Sequence, residues 1–196
     1  MKVRFLGWAV ACFLLTMSST LRAQSTPAAF GPPLHMQAGA EFSAFNTDVA
    51  TNSWEYGIGA YADANVWRSL GIEAEGRTIQ FNEVDNVRQD TISGGLRYVF
   101  HRGRFGGHAL EPYLKALGGV GSGDFPPGTY KNSPRRHDTF SVITVGGGLD
   151  IPLSHRFSVR GEYEYETWLD YGRGHKGGVG QANPNGVSLG MGYRFF

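Results

Sequence analysis

Glu162, Glu164 and Glu166 recur at a spacing of two. Carboxylates gathered at one point could serve general acid–base chemistry or hold Ca²⁺. In an extended chain, however, that spacing sets them in a row along one wall. Arg77, Arg97 and Arg160 stand on other segments as partners, so a structural charge ladder is the preferred reading. A Ser–His–acid relay needs its three side chains in one place. The histidines are His35, His101, His108, His137, His155 and His175. His155 lies three residues before Ser158, but in what reads as a short turn, and no His-x-Ser arrangement occurs. The stretch from Gly172 to Gly178 is glycine-rich and basic. It lacks the G-x-x-x-x-G-K-[ST] spacing of a phosphate loop and reads as a flexible loop. Lys131, Arg135 and Arg136, beside His137, form a basic patch suited to phosphate groups, with a plain solvated loop as the slightly preferred alternative. No catalytic residue, cofactor site or metal site is expected.

The elements that would position these residues begin after a leader. Lys2 and Arg4 precede an apolar run, Phe5 to Met17, and Leu21-Arg22-Ala23 precedes Gln24. This is the layout of a secretory signal peptide over 1–23, with the cut placed after Ala23. Residues 24–33, rich in small residues and proline, read as a flexible lead-in. Residues 34–196 form a single domain. The only cysteine, Cys12, falls in the leader, so the mature chain has no thiol to mispair in an oxidising compartment. Losing Lys2, Arg4 and Arg22 turns the formal charge of +1 into −2, which offers nothing to nucleic acid. No segment after the leader reaches the run of about 18 apolar residues that a helical span needs. With 29 glycines and 13% aromatics, the chain suits neither a helical bundle nor a disordered segment.

Period-two alternation dominates the rest, the mark of half-buried strands. In 156–169, Ser158, Arg160, Glu162, Glu164 and Glu166 share one face, and Phe157, Val159, Gly161, Tyr163 and Tyr165 the other. The same pattern predicts strands over 34–45, 56–67, 71–81, 91–100, 111–123, 139–151 and 186–196. Eight strands of this length fit an antiparallel up-and-down barrel that crosses a bilayer at a tilt. Long links (46–55, 82–90, 124–138, 170–185) alternate with shorter ones (68–70, 101–110, 152–155). This places long loops outside and both termini on the periplasmic side.

The polar faces collect Glu41, Asp63, Glu73, Glu75, Arg77, Arg97, Lys115, Arg160, Glu162, Glu164, Glu166 and Arg194. The opposite faces are rich in Ala and Gly. A soluble barrel would need bulky side chains on its apolar face to avoid voids, whereas a lipid-facing wall has no such need. The charges are therefore expected inside and lipid outside. Aromatics near the strand ends (Phe45, Tyr56, Trp67, Phe81, Phe100, Tyr113, Phe157, Trp168, Tyr193 and Phe195) suit interfacial girdles. An eight-stranded interior is just wide enough for side chains, so a charge-filled lumen is expected to be plugged.

Three stretches carry a family resemblance: Pro112 to Gly121, Gly146 to Tyr163, and the ending Gly192-Tyr193-Arg194-Phe195-Phe196. With the leader and eight amphipathic strands, the chain resembles the outer-membrane β-barrel family of the OmpA/OmpX type. The resemblance implies an all-β, eight-stranded transmembrane barrel in the bacterial outer membrane. It implies outer-membrane lipids, lipopolysaccharide and the barrel-assembly machinery as partners, and a C-terminal assembly signal in Tyr193, Phe195 and Phe196. The alternating register falls on Phe195, Tyr193, Met191 and Leu189, leaving Phe196 one residue beyond it. A monomer is expected, with no room after Phe196 for a peptidoglycan-binding domain. The expected role is non-enzymatic, structural or surface-interacting, and carried by the long loops. A narrow ion channel is the alternative, followed by a lipid-modifying enzyme and, last, a soluble periplasmic binding barrel.

Overall fold

In the computed structural model, the described residues are 36–47, 54–81, 88–100, 103–105, 108–125, 136–169 and 181–195. The expected signal peptide (1–23) and lead-in (24–33) lie outside them, as does most of every long loop. The strands are β1 (Met36–Asn46), β2 (Trp54–Trp67), β3 (Leu70–Phe81), β4 (Arg88–Val99), β5 (Gly103–Phe105), β6 (His108–Phe125), β7 (Arg136–Pro152), β8 (Phe157–Leu169), β9 (Gln181–Ala182) and β10 (Asn185–Arg194). Eight of them are long and form the wall. No helix among the described residues is long and apolar enough to cross a membrane, which says nothing of a crossing by strands.

Every neighbouring pair in the wall is antiparallel, in the order β10-β1-β2-β3-β4-β6-β7-β8, and β10 also pairs with β8. Closure runs along β1 from Gln37↔Arg194 to Asn46↔Asn185, and along β8 from Phe157↔Tyr193 to Tyr165↔Asn185. A closed ladder leaves no free edge, which satisfies the backbone internally and removes a template for aggregation.

Short connections gather at one end. Arg68 and Ser69 join β2 to β3, and Arg68 holds a φ of 49°, a left-handed conformation usually left to glycine. At the β7–β8 turn, the Ser154 hydroxyl accepts hydrogen bonds from the backbone N–H groups of Arg156 (3.3 Å) and Phe157 (3.0 Å). The third link differs from expectation. Segment 101–110 contains a small ladder, in which β5 pairs with the start of β6 from Gly103↔Leu110 to Phe105↔His108. The wall strand thus begins before Glu111, where the sequence pattern placed its start.

The last strand also reaches further than expected. β9 pairs with β8 through Trp168↔Ala182 and Leu169↔Gln181. Pro184 interrupts it, since proline has no N–H to give the ladder. The Pro184 carbonyl still accepts from the Glu166 N–H at 2.8 Å.

The alternation sorts the wall into two faces. Glu41, Asp63, Glu73, Arg77, Arg97, Lys115, Arg160 and Glu164 point inward and are buried. Ile58, Ile72, Ile92, Leu114, Ile143 and Leu189 point outward, with Leu189 65% exposed. Large apolar side chains outside and charged ones inside invert the pattern of a soluble protein.

Candidate functional site

The lumen is filled by a layered ion-pair network. Nearest the short turns, Arg194 Nη2 donates to Glu111 Oε2 at 2.8 Å and its Nε to Gln37 Oε1 at 3.1 Å. The Ser158 hydroxyl donates to the same Gln37 oxygen at 3.0 Å. Gln37 Nε2 in turn donates to the Tyr61 hydroxyl at 3.2 Å.

The next layer holds two arginines between two aspartates. Arg97 Nη1 donates to Asp63 Oδ1 at 2.6 Å, and its Nη2 reaches Asp150. Arg160 Nη2 donates to Asp63 Oδ2 at 2.7 Å and its Nε to Asp150 Oδ1 at 3.0 Å. Aromatic faces cover both cations. The Arg160 guanidinium lies 3.7 Å from the Tyr61 ring centroid and that of Arg97 lies 4.0 Å from Tyr113. A cation over a ring face gains electrostatic energy, most where water is excluded.

Lys115 occupies the middle. Its Nζ is 2.6 Å from Glu75, 2.5 Å from Glu164 and 3.1 Å from both Glu73 and Glu162. The Tyr113 hydroxyl donates to Glu162 Oε2 at 2.5 Å. Toward the loop end, Arg77 contacts Glu75 and Glu164, and lies 3.1 Å from Glu166 and 3.5 Å from Glu41. Trp168 Nε1 donates to Glu166 Oε2 at 2.8 Å. Trp168 also joins Val142, Ala182 and Phe140 in a small apolar cluster.

Charges out of water are tolerated only when paired and hydrogen-bonded. The four cations Arg77, Arg97, Lys115 and Arg160 have side chains no more than 3% exposed. They face eight carboxylates: Glu41, Asp63, Glu73, Glu75, Asp150, Glu162, Glu164 and Glu166. Among the described luminal residues these carboxylates outnumber the cations.

Eleven of the twelve charges read from the sequence pattern are buried in this lumen; Arg194 sits at its rim and is partly exposed. Sequence reasoning missed Asp150, 1% exposed, although it keeps the inward parity of Val142 and Thr144 on β7. Tyr61 shares the inward parity of Asp63 and is buried at 3% exposure. Three girdle assignments are corrected. Phe45, Tyr113 and Trp168 lie inside the barrel, at no more than 2% exposure. Each continues an inward series already occupied by charge: Phe45 after Glu41, Tyr113 before Lys115, Trp168 after Glu166. Nearness to a strand end does not override parity. Tyr56, Trp67, Phe100, Phe157 and Phe195 do face outward. The Phe81 side chain lies outside the description.

Tyr193 stacks edge-on with Phe157 and with Phe195, at 5.5 and 5.3 Å between centroids. The Phe195 N–H donates to the Met36 carbonyl at 3.0 Å. Phe196 lies outside the described residues. So do Lys131 and Arg135, the side chain of Arg136 and the run 172–178.

His155 and Ser158 do not meet: His155 is exposed in the turn and Ser158 is luminal. A different trio does meet at the loop end of the outer wall. His137 Nδ1 lies 2.9 Å from Asp124 Oδ1, and its Nε2 lies 3.2 Å from the Ser122 hydroxyl. The hydroxyl is also 3.4 Å from Nδ1, so it sits beside the ring edge instead of at the tip of Nε2. The trio lies where β6 and β7 pair, at Ser122↔Thr139 and Asp124↔His137. Among the described residues the hydroxyl is therefore not aligned on Nε2 in the manner of a Ser–His–acid relay.

Residues 9–195 match the family model described as the outer membrane protein beta-barrel domain. No curated protein matches the sequence. Among solved structures, neisserial surface protein A (NspA) is similar at a TM-score of 0.57 and 13% identity, over 83% of this chain and 97% of that one. Ail, the attachment invasion locus protein of Yersinia pestis, is similar at 0.47 and 15%, over 83% and 97%. The outer membrane protein OprG of Pseudomonas aeruginosa is similar at 0.47 and 13%, over 83% and 95%. Identities this low speak for the fold alone.

Proposed function

The chain belongs to the outer membrane β-barrel protein family, and from that premise we propose that it is a non-enzymatic barrel of the bacterial outer membrane whose long extracellular loops carry a structural or surface-interaction role. The observation that supports this reading is a lumen crowded with buried, ion-paired side chains. Arg77, Arg97, Lys115 and Arg160 are pinned between strands on opposite parts of the wall, with aromatic rings over the three arginines. Such an interior works as a rigid post and leaves recognition to what the post displays. The outward apolar face meets lipid. The basic patch of Lys131, Arg135 and Arg136 supplies charge suited to lipopolysaccharide phosphates, and Tyr193, Phe195 and Phe196 supply the aromatic ending suited to the assembly machinery.

Two measurements test this. Fractionation with heat-modifiable gel migration should place the mature protein in the outer membrane; a protein soluble without detergent would overturn the membrane reading. Replacing 126–135 and 170–180 by short turns should leave heat-modifiable folding intact and abolish binding to lipopolysaccharide. Unchanged binding would remove the loop assignment. A narrow channel is the second reading, favoured by the carboxylate surplus of the lumen.

A further inference from the structure

Glu41 on β1, Glu75 on β3 and Glu162 on β8 come together inside the lumen. One carboxylate oxygen from each lies within 4.8 Å of the others, and all three residues are buried. The cations already present do not use them up. Arg77 and Lys115 hold the two oxygens of Glu75, and Lys115 and Tyr113 hold Oε2 of Glu162. Oε1 of Glu162 and both oxygens of Glu41 accept no hydrogen bond, although the side chains of both residues are 0% exposed. Among the described residues, the one cation within ion-pair distance of Glu41 is Arg77, 3.5 Å from Oε1.

Buried carboxylate oxygens without a donor are costly. Glu73 Oε2 and Glu164 Oε1 also accept no hydrogen bond but lie 3.3 Å from Arg160 and 2.5 Å from Lys115. At Glu162 and Glu41, among the described residues, the closest cation contacts fall on Oε2 and Oε1, which leaves Glu162 Oε1 and Glu41 Oε2 the less matched oxygens. Neighbouring backbone leaves room at Glu41. Gly59 faces Glu41 across the β1–β2 ladder, and a Cβ there would come within 2.8 Å of Glu41 Oε1.

We propose that Glu41, Glu75 and Glu162 form a luminal site for a hard divalent cation of the calcium type. The donor set is all carboxylate oxygen, the kind such ions select. Its span suits the ion: two calcium ligands on opposite sides lie about 4.8 Å apart, twice a bond of about 2.4 Å. Bound there, the cation supplies the positive charge that Arg77 and Lys115 do not, and ties β1, β3 and β8 together. The site goes beyond the scaffold role and depends on the fold alone.

The test uses the full mature barrel, refolded in detergent without lipopolysaccharide and stripped with EDTA. Terbium, the probe, is titrated in and then displaced with calcium at constant ionic strength. Expected are saturable terbium emission excited through Tyr113, its loss on adding calcium, and unfolding at a higher temperature in calcium than in EDTA. Glu41→Gln and Glu162→Gln, each checked for heat-modifiable folding, should weaken binding by at least about tenfold, the cost usual for removing even an outer partner of a metal site. Asp90→Asn, on the exposed Arg88–Asp90 pair, should change nothing. Should Glu41→Gln fail to fold, Glu162→Gln and the wild-type comparison in calcium and EDTA carry the test. Absence of saturable emission overturns the site, as does equal emission from the glutamine variants. Equal stability in calcium and EDTA, with stability instead rising on acidification, also overturns it, because protons would then be neutralising the carboxylates.

Discussion

The Arg160 guanidinium lies flat over the Tyr61 ring, 3.7 Å from its centroid. It also donates to Asp63, two residues further along the strand that carries Tyr61. One side chain of β8 is thus gripped by a ring and a carboxylate of β2, strands that are not neighbours in the wall. Contacts of this kind join the barrel through its middle as well as around its circumference.

Arg160→Met should therefore be severely destabilising. It leaves Asp63, Asp150 and Glu73 facing one fewer cation, and breaking a buried pair in this way costs about 3–5 kcal/mol. Urea unfolding followed by heat-modifiable migration measures it. Arg194→Met, at the partly exposed rim, should cost about 1 kcal/mol or less. Equal losses would show that the lumen is wetter than its burial indicates.

Leu189→Arg tests which face meets lipid. Leu189 sits mid-strand between Phe42 and Gly161, with its side chain outward. In bilayer vesicles the substitution should cost about 2–4 kcal/mol, the range for a cation on the lipid face at the midplane. A change within about 0.5 kcal/mol, usual for a water-exposed site, would contradict a lipid-facing wall.

Gly148 and Gly161 lie on the two strands of the β7–β8 hairpin, opposite Glu162 and Leu149 respectively, in contrasting surroundings. A Cβ on Gly148 would meet the Tyr113 hydroxyl and Glu162 Cβ at 2.7 Å, whereas one on Gly161 meets nothing within 4 Å. Gly148→Ala should cost about 1–3 kcal/mol through overpacking. Gly161→Ala should be neutral or slightly stabilising. Denaturant midpoints of the two variants, compared with wild type, decide the matter.

Planar bilayers containing the purified protein should show no steady current. A steady ohmic current that disappears in Glu162→Gln/Glu164→Gln would replace the crowded lumen with a conducting one.

Ser122 should resist fluorophosphonate labelling, and lipid A acylation should be the same with and without the protein. Labelling that is lost in both Ser122→Ala and His137→Asn would make the outer-wall trio a hydrolytic site.

Alternation alone made the wall legible. A strand's side chains change face at every residue, so Arg160, Glu162, Glu164 and Glu166 had to share a side whatever the rest of the chain did. The same rule was enough to place Phe45, Tyr113 and Trp168 inside, had it been weighed above their position near strand ends. Asp150 was hidden because its neighbours Gly146, Gly147 and Gly148 carry no side chains to show a pattern. The β5 ladder and β9 have two or three residues each, too few to display a period.

Which charges meet across the interior was a different question. Glu41 and Glu162 approach one another because β10 lies between β1 and β8 and closes the ring. The sequence by itself determined that these carboxylates face inward, since that depends only on the local period of an extended chain. Only the tertiary structure decided that they converge with Glu75 and lack enough cations, because pairing across a closed barrel depends on the register of every strand between them.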